Sequence, residues 1–149
     1  MKPVQRILVP TDFSDCSAAA ADLAAQLARQ LGAAVEVVTV VDTSPLLEAY
    51  GDVAYREERI ADIRGQAGRK LDAFTEAHCA GIESVRSQVR DGNTLDEILE
   101  AARETGSELI VMGTHGRTGL AHLLIGSIAE KVVRHSPLPV LTVRGPVPQ

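Results

Sequence analysis

The segment from Gly113 to Ser127 contains residue types that could bind a phosphate group. Three of its glycines and a serine, at Gly113, Gly116, Gly126 and Ser127, have the spacing G-x2-G-x9-G-S. The segment follows an apolar run and precedes a helix-like pattern, so it is typical of a loop between a strand and a helix. Glycine lets a backbone approach a ligand closely, and the N–H groups at a helix start attract negative charge. The spacing therefore predicts a phosphate site.

Neither of the two best-known phosphate-binding motifs matches this loop. No lysine precedes Ser127, which excludes the P-loop pattern, and the glycines lack the G-x-G-x-x-G spacing of dinucleotide-binding folds. The loop also contains His115 and Arg117. Arg117 could bind a phosphate or serve only its own loop, and for His115 we favour a bond within the loop over a bond to a ligand.

Five short β-branched or apolar runs predict the strands that must position this loop. They lie at residues 7–9, 35–41, around Val85 and Val89, at 109–112 and at 140–143. Helical spacing of apolar residues predicts a helix in each of the four intervals between them. Strands that alternate with helices pair in parallel through right-handed crossovers. The chain is therefore predicted to form a doubly wound α/β fold with helices on both faces of a five-stranded parallel sheet.

The first predicted helix has a start signal and a repeated apolar position. Ser14 and Asp15 are its candidate N-caps, because short polar side chains accept hydrogen bonds from the first turn. Leu23, Leu27 and Leu31 recur at four-residue spacing. This spacing predicts a helix that ends before Gly32.

The other predicted helices have signals of their own. The second and longest has apolar residues spaced by three or four over 60–74, and Gly81 is expected to stop it. Capping boxes that begin at Thr94 and Ser127 are predicted to open the third and fourth helices. The segment 44–58 is expected to be an irregular connection, either an ordinary loop, which we favour, or a lid or partner surface.

The composition argues against several classes of partner. The chain has 149 residues, 45% of them apolar, which predicts one domain over residues 1–149. The net charge is -5 and no Lys/Arg run occurs, so we expect neither nucleic acid nor a membrane surface as a partner. We find no apolar signal segment or membrane span. Cys16 and Cys79 form no C-x-x-C motif, which favours a reducing, cytoplasmic location and no metal site.

Asp12 follows the first predicted strand, in the segment Pro10-Thr11-Asp12. In open α/β sheets, ligands bind beyond the carboxyl ends of strands where the winding direction reverses. If the first and fourth strands are neighbours, Asp12 offers an acceptor for ribose hydroxyls and the glycine loop offers N–H groups for phosphate. This combination predicts a nucleotide pocket. The alternative is that Asp12 caps the first helix and the glycines only turn the chain.

The segment 7–14, Ile-Leu-Val-Pro-Thr-Asp-Phe-Ser, together with the glycine pattern, resembles the universal stress protein family over essentially the whole chain. Residues 37–42, 109–117 and 137–144 are also similar to that family, although Thr39 stands where it often has histidine. The complete glycine signature resembles the ATP-binding subgroup. The resemblance implies a Rossmann-like sheet of the adenine nucleotide α-hydrolase type, with strand order 3-2-1-4-5.

The resemblance also implies a role for each site residue. Asp12 would contact the ribose, the Val40 backbone would contact adenine, and Met112 would line the base pocket. The first two glycines of the pattern would approach the ribose and phosphates, while the third glycine, Ser127 and the Ile128 amide would receive the phosphate chain. The ligand would be ATP, with or without Mg²⁺. The full predicted set is Pro10, Thr11, Asp12, Val40, Met112, Gly113, Gly116, Arg117, Gly126, Ser127 and Ile128.

The expected function is a nucleotide-dependent stress-response or signalling protein that is not an enzyme. The sequence has no Walker lysine and no evident base for phosphoryl transfer. It also lacks the Ser-Gly-Gly-x-Asp-Ser and His-x-Gly-His motifs expected of related nucleotidyl transferases. A slow ATPase, an AMP or cyclic-nucleotide binder, and a nucleotide-free dimeric scaffold remain alternatives.

A homodimer is expected through the last strand, between Leu138 and Arg144. In the implied order this strand lies at a sheet edge and has apolar residues instead of the lysines that discourage edge pairing. The family resemblance also implies antiparallel pairing of two such strands across a two-fold axis. The alternative is that the tail from Gly145 to Gln149 covers the edge.

Overall fold

Strands and helices alternate along the chain as the sequence predicts, with one additional short helix. The structure is a computed structural model and describes residues 2–49, 51–116 and 125–146. The elements are β1 (Arg6–Pro10), α1 (Asp15–Leu31), β2 (Ala34–Val41), α2 (Ser44–Ala49), α3 (Val53–His78), β3 (Val85–Asp91), α4 (Thr94–Thr105), β4 (Leu109–Gly113), α5 (Ser127–His135) and β5 (Val140–Val143).

The five strands form one parallel sheet in the order β3-β2-β1-β4-β5. This confirms the predicted doubly wound topology. Strand β1 lies at the centre, where Val9 pairs with Val37 of β2 and Leu8 pairs with Ile110 of β4. The winding direction reverses between β1 and β4, so the loops that follow these two strands diverge and leave a crevice between them.

Hydrophobic side chains cover both faces of the sheet, which explains why β1, β2 and β4 are largely apolar, whereas the edge strand β3 is mostly polar. Ile7 and Val9 of β1 belong to the cluster that includes residues of α1 and α3, whereas Leu8 belongs to the cluster that includes residues of α4 and α5. All three are fully buried. The prediction of helices on both faces is therefore confirmed.

Alanines form the buried face of α1. The leucines whose spacing predicted the helix lie off this face, since Leu31 is 45% exposed and Leu23 and Leu27 are only partly buried. Small side chains allow the helix axis to approach the sheet closely, so they occupy the positions nearest to it. The candidate cap Ser14 is confirmed, since its side chain accepts a hydrogen bond from the Ser17 N–H. The buried residues of α1 are Cys16, Ser17, Ala20, Ala21, Ala24, Ala25 and Ala28.

Helices α4 and α5 each have their N-cap one residue before the predicted position. Asn93 caps α4 by accepting a hydrogen bond from the Asp96 N–H, so Thr94 is the first helical residue and not the cap. Gly126 occupies the N-cap of α5 and makes no side-chain hydrogen bond there. Both predicted capping boxes were therefore wrong. At α4 a better cap precedes the motif, and at α5 the helix starts without a side-chain cap.

Most of the described part of segment 44–58 is helical, which corrects the prediction of an irregular connection. Helix α2 occupies its first part, and α3 begins at Val53 with Asp52 as its N-cap. Helix α3 ends at His78, before the predicted stop at Gly81, which lies in the following turn with a φ of +79°.

Candidate functional site

The carboxyl ends of β1, β2 and β4 surround a pocket of about 520 Å³, a volume typical of small-molecule sites. The starts of α4 and α5 complete the lining. The structure brings together every predicted site residue that it describes, and Arg117 lies outside the described residues. The predicted residues in the lining are Pro10, Thr11, Asp12, Val40, Met112, Gly113, Gly116, Gly126, Ser127 and Ile128.

Several lining residues were not predicted. Val38 could have been found, because side chains two positions apart on a strand share a face and Val40 was already a candidate. Thr94 and Ile98 could not, since their position depends on how α4 packs against the sheet. The additional lining residues are Ser17, Val38, Thr94, Ile98, Thr114, His115 and Ala129.

The loop that follows β1 is fixed by hydrogen bonds around Thr11. The Thr11 N–H donates to the Val38 carbonyl at 2.8 Å, and its carbonyl accepts from the Thr39 hydroxyl at 2.8 Å. The Thr11 hydroxyl lies 2.8 Å from the Ser17 hydroxyl and accepts from the Phe13 N–H at 3.0 Å. Every polar group of Thr11 is therefore hydrogen-bonded, which fixes the backbone conformation at this position.

This fixed loop holds the Asp12 carboxylate at the pocket. Asp12 Oδ1 accepts a hydrogen bond from the Ser14 N–H at 3.1 Å, which is an Asx turn. The helix cap itself is Ser14, so the alternative that Asp12 caps the first helix is wrong. A Cβ atom built on Gly116 would overlap Asp12 Oδ2. The loops after β1 and β4 therefore meet at Asp12 and Gly116.

Steric contacts explain the other two glycines of the pattern. A Cβ on Gly113 would lie 2.8 Å from Cys16 Sγ and 3.0 Å from the Cys16 carbonyl carbon. A Cβ on Gly126 would lie 2.9 Å from the Thr114 carbonyl oxygen and 3.4 Å from His115 Cα. Gly113 is therefore required for the packing of α1 against β4, a reason that the sequence did not reveal, and Gly126 for the closure of the loop onto itself.

The start of α5 differs from the starts of the other long helices. Side chains of Ser14, Asp52 and Asn93 cap α1, α3 and α4, but no described side chain caps α5. The residues of its first turn, from Ser127 to Ala129, line the pocket. Uncapped N–H groups and the positive end of the helix dipole make this part of the pocket suitable for an anion.

The pocket also has an apolar part, formed by side chains of β2, α4 and β4. Met112 is 6% exposed and Ile98 is 2% exposed, and both belong to the core on that face of the sheet together with Val38 and Val40. An apolar wall beside an anion-binding helix start can accommodate a flat hydrophobic ring that has a negatively charged substituent.

His115 is fixed within its own loop, as the favoured interpretation predicts. Its Nδ1 atom lies 3.0 Å from the Thr114 hydroxyl. Its Nε2 atom is buried and has no hydrogen-bond partner in the part of the chain that the structure describes. Among the described residues, no cluster of three or more His, Cys, Asp or Glu side chains could hold a metal ion.

Two carboxylates near the ends of β2 and β3 stabilise the local chain. Hydrogen bonds from the Ser44 hydroxyl and N–H lower the pKa of Asp42 below its usual value. Burial raises the pKa of Asp91, but the Thr43 hydroxyl and the Arg64 guanidinium together outweigh burial and lower it. Both carboxylates therefore stay ionised at neutral pH. Asp42 fixes the turn after β2, and Asp91 of β3 binds that turn and α3.

Comparison with known proteins identifies the family. The sequence model of the universal stress protein family matches residues 3–144. This chain belongs to the universal stress protein family. Universal stress protein MJ0531 of Methanocaldococcus jannaschii is 36% identical over 144 residues, which are 95% of this chain and 83% of that protein.

Solved structures of universal stress proteins are also similar to this chain. The structure of MJ0577, also from Methanocaldococcus jannaschii, has a TM-score of 0.86 and 25% identity, over 99% of this chain and 100% of that one. A universal stress protein solved in complex with cAMP has a TM-score of 0.65 and 27% identity, over 97% of this chain and 100% of that one. None of the described helices of this universal stress protein is long and apolar enough to cross a bilayer.

Thr39, the departure from the histidine that the family often has, faces away from the pocket lining. Its hydroxyl donates to the Thr11 carbonyl and thereby ties β2 to the loop after β1. The neighbouring residue Val40 still lines the pocket. In this universal stress protein, threonine is therefore compatible with a pocket position for the residue that follows it.

Proposed function

We propose that this universal stress protein binds ATP in the pocket and that occupancy of the pocket acts as a signal in the stress response. The observation that carries the proposal is the uncapped start of α5 beside an apolar wall and a carboxylate. Adenine would lie against Val40, Ile98 and Met112, and the Asp12 carboxylate would accept hydrogen bonds from the ribose. The phosphate chain would bind the N–H groups at the start of α5. Mg²⁺ would be bound to the phosphates of the nucleotide.

The pocket chemistry supports an adenine nucleotide more strongly than it supports the length of its phosphate chain. The relative solved with cAMP makes a cyclic nucleotide the second candidate ligand. The base and ribose contacts would be the same for ATP, AMP and cAMP. Only the number of phosphates that reach α5 would differ, so ATP would gain the most from the uncapped helix start.

Calorimetry with the wild-type protein tests this proposal. The protein is titrated with ATP, AMP, cAMP and GTP in the presence of Mg²⁺, after the small molecules released from denatured protein have been identified. We expect ATP to bind with a Kd in the micromolar range, which is about −8 kcal/mol. If no adenine nucleotide binds, the nucleotide proposal fails and a nucleotide-free scaffold is favoured.

Hydrolysis of ATP is proposed to be absent or very slow. Phosphoryl transfer needs a residue that orients water and a cation that offsets the charge on the transferred group. The sequence has no P-loop lysine, and positioning alone leaves most of the barrier in place. Turnover above about one per second would fall within the usual enzyme range and would overturn this part of the proposal.

We also propose that the protein acts in the cytoplasm as a homodimer joined through β5. This strand lies at one edge of the sheet. The Ile110 and Thr114 N–H groups of the β4 side donate to the carbonyls of Pro139 and Val143, so alternation directs the Thr142 N–H outward. The neighbouring side chain Leu141 is 37% exposed. An outward donor on an apolar strand is suited to pairing with a second copy.

Thr142→Pro tests the dimer, because it removes the outward N–H without removing a bond to β4. Light scattering during size exclusion should show a dimer for wild type and a shift toward monomer for the variant. Thr142→Val keeps the N–H and should stay dimeric. The tail does not compete within the described residues, since Gly145 packs near Cys16 of α1 and residues 147–149 lie outside them. Monomeric wild type at tens of micromolar would contradict the dimer.

A further inference from the structure

Phe13 has a backbone conformation that bulky residues rarely adopt. Its φ is +67°, and it is the one residue other than glycine with a positive φ in the described part of the chain. A side chain in the left-handed region is strained, and such strain persists only where the surroundings enforce it. Phe13 directly follows Asp12, the carboxylate that faces the pocket. What enforces this conformation therefore also determines where that carboxylate lies.

The Phe13 ring is held by helix α3. It packs edge-to-face against the ring of Phe74, with the centroids 5.9 Å apart and an angle of 73° between the planes. Phe74 is 8% exposed and belongs to the core between the sheet and α3. The positive φ thus turns two consecutive side chains in different directions, with Asp12 at the pocket and Phe13 against this core.

Phe74 also contacts a second ring, that of His78. Its ring centroid lies 4.6 Å from that of His78, and His78 Nδ1 lies 2.7 Å from Asp22 Oδ1 on α1. These contacts connect the loop after β1 through α3 to α1. No described residue of α3 lines the pocket.

We infer that Phe74 is a positioning residue for the nucleotide site: its ring keeps Phe13 at positive φ, and this holds the Asp12 carboxylate where it can accept hydrogen bonds from the ribose. The inference rests on the proposed function. Without the Phe74 ring, Phe13 relaxes toward negative φ and the Asx turn between Asp12 and Ser14 changes. Helix α3 therefore contributes to nucleotide affinity without contacting the nucleotide. Its contribution depends only on the hydrogen bonds between Asp12 and the ribose.

The dependence on ribose distinguishes the inferred role of Phe74 from a general loss of stability. A general loss would weaken the binding of nucleotides with and without ribose hydroxyls alike. Wild type and Phe74→Leu are titrated by calorimetry with ATP and with 2′,3′-dideoxy-ATP, at a temperature where both are folded by circular dichroism. We expect Phe74→Leu to bind ATP about tenfold more weakly, the equivalent of about 1.4 kcal/mol. The affinity for the dideoxy nucleotide, which offers Asp12 no hydroxyl, should be equal in both proteins.

Leu71→Ala is the matched control, because Leu71 lies one turn earlier on α3 and is 1% exposed. It should lower the melting temperature but leave the ATP affinity within about twofold of wild type. Phe13→Leu removes the same ring contact and is used if Phe74→Leu does not fold. Equal ATP affinity in wild type and the ring variants, or an equal loss for both nucleotides, overturns the inference alone. No ATP binding by wild type overturns both the inference and the proposed function.

Discussion

The loops that follow β1 and β4 face each other across the pocket but are built in opposite ways. After β1, four consecutive residues from Thr11 to Ser14 are fixed by side-chain hydrogen bonds and by a strained phenylalanine. After β4, the described residues include glycines at positions where a Cβ would overlap other protein atoms. The first loop presents a side chain, which needs a rigid backbone. The second leads to the start of α5, which no described side chain caps, and its glycines omit side chains that would clash.

This difference changes what the glycine pattern means. The atoms nearest to the missing Cβ of Gly113, Gly116 and Gly126 belong to Cys16, Asp12 and Thr114. Gly113 and Gly126 are therefore required by contacts with protein backbone, even before a ligand is considered, whereas a side chain at Gly116 would displace the Asp12 carboxylate. The pattern therefore reflects packing within the protein as well as the proposed anion site at the start of α5.

The largest effect should follow from a side chain placed at the start of α5. Gly126→Val puts a branched side chain against the Thr114 carbonyl, and we expect it to weaken ATP binding by at least about a hundredfold because the N–H groups can no longer reach phosphate. Calorimetry measures this loss, and circular dichroism should show a retained fold. Gly68→Ala is the control, since among the described residues no atom outside its own stretch of α3 lies within 4 Å of its added Cβ. Unchanged binding by Gly126→Val would refute the phosphate site.

A second substitution tests whether Gly113 serves packing. Gly113→Ala forces α1 away from β4 at Cys16, and overpacking of this kind costs about 1–3 kcal/mol. Urea denaturation should show a lower midpoint with an unchanged slope. Gly51→Ala, which has open space around its Cβ, should leave the midpoint unchanged. If Gly113→Ala is as stable as wild type, the packing role assigned to this glycine is wrong.

The smallest change concerns the loop after β1. Asp12→Asn keeps an oxygen that can accept from the Ser14 N–H, so the free energy of unfolding should change by less than about 0.5 kcal/mol. It removes the charge, and we expect ATP to bind about tenfold more weakly because hydrogen bonds to ionised groups are stronger. Calorimetry and urea denaturation measure the two quantities separately. A large loss of stability without a loss of affinity would assign Asp12 to the fold instead of the ligand.

Much of the fold could be predicted from sequence because its signals are local. Buried parallel strands need continuous apolar runs such as 7–9 and 109–112, and alternation with helices is sufficient to define the topology. The errors occurred where two local signals compete. Thr94 satisfies a capping-box pattern, but Asn93 precedes it and caps the helix. Leucines in α1 repeat regularly, but close packing on the sheet selects alanines for the buried face.

The features of the site that escaped prediction depend on contacts distant in sequence. The positive φ of Phe13 is linked to its contact with Phe74, and the carbonyl of Thr11 is fixed by Thr39 on another strand. Gly113 lines the pocket as predicted, but the sequence could not show that Cys16 packs against it. Residue types predicted which chemistry is present. Tertiary packing determines the backbone conformation that positions those residues.

Cys79, the residue directly after α3, makes that helix accessible to chemical measurement. The side chain is 2% exposed, and burial, together with the nearby Asp22 carboxylate, raises the pKa of its thiol above the usual value. Only the thiolate reacts with alkylating reagents, so Cys79 should be inert until the end of α3 unfolds locally. In a Cys16→Ala background it is the sole thiol of the protein. Its alkylation rate would then measure how often the end of α3 opens. If a nucleotide lowers that rate, the effect of binding extends from the pocket to α3.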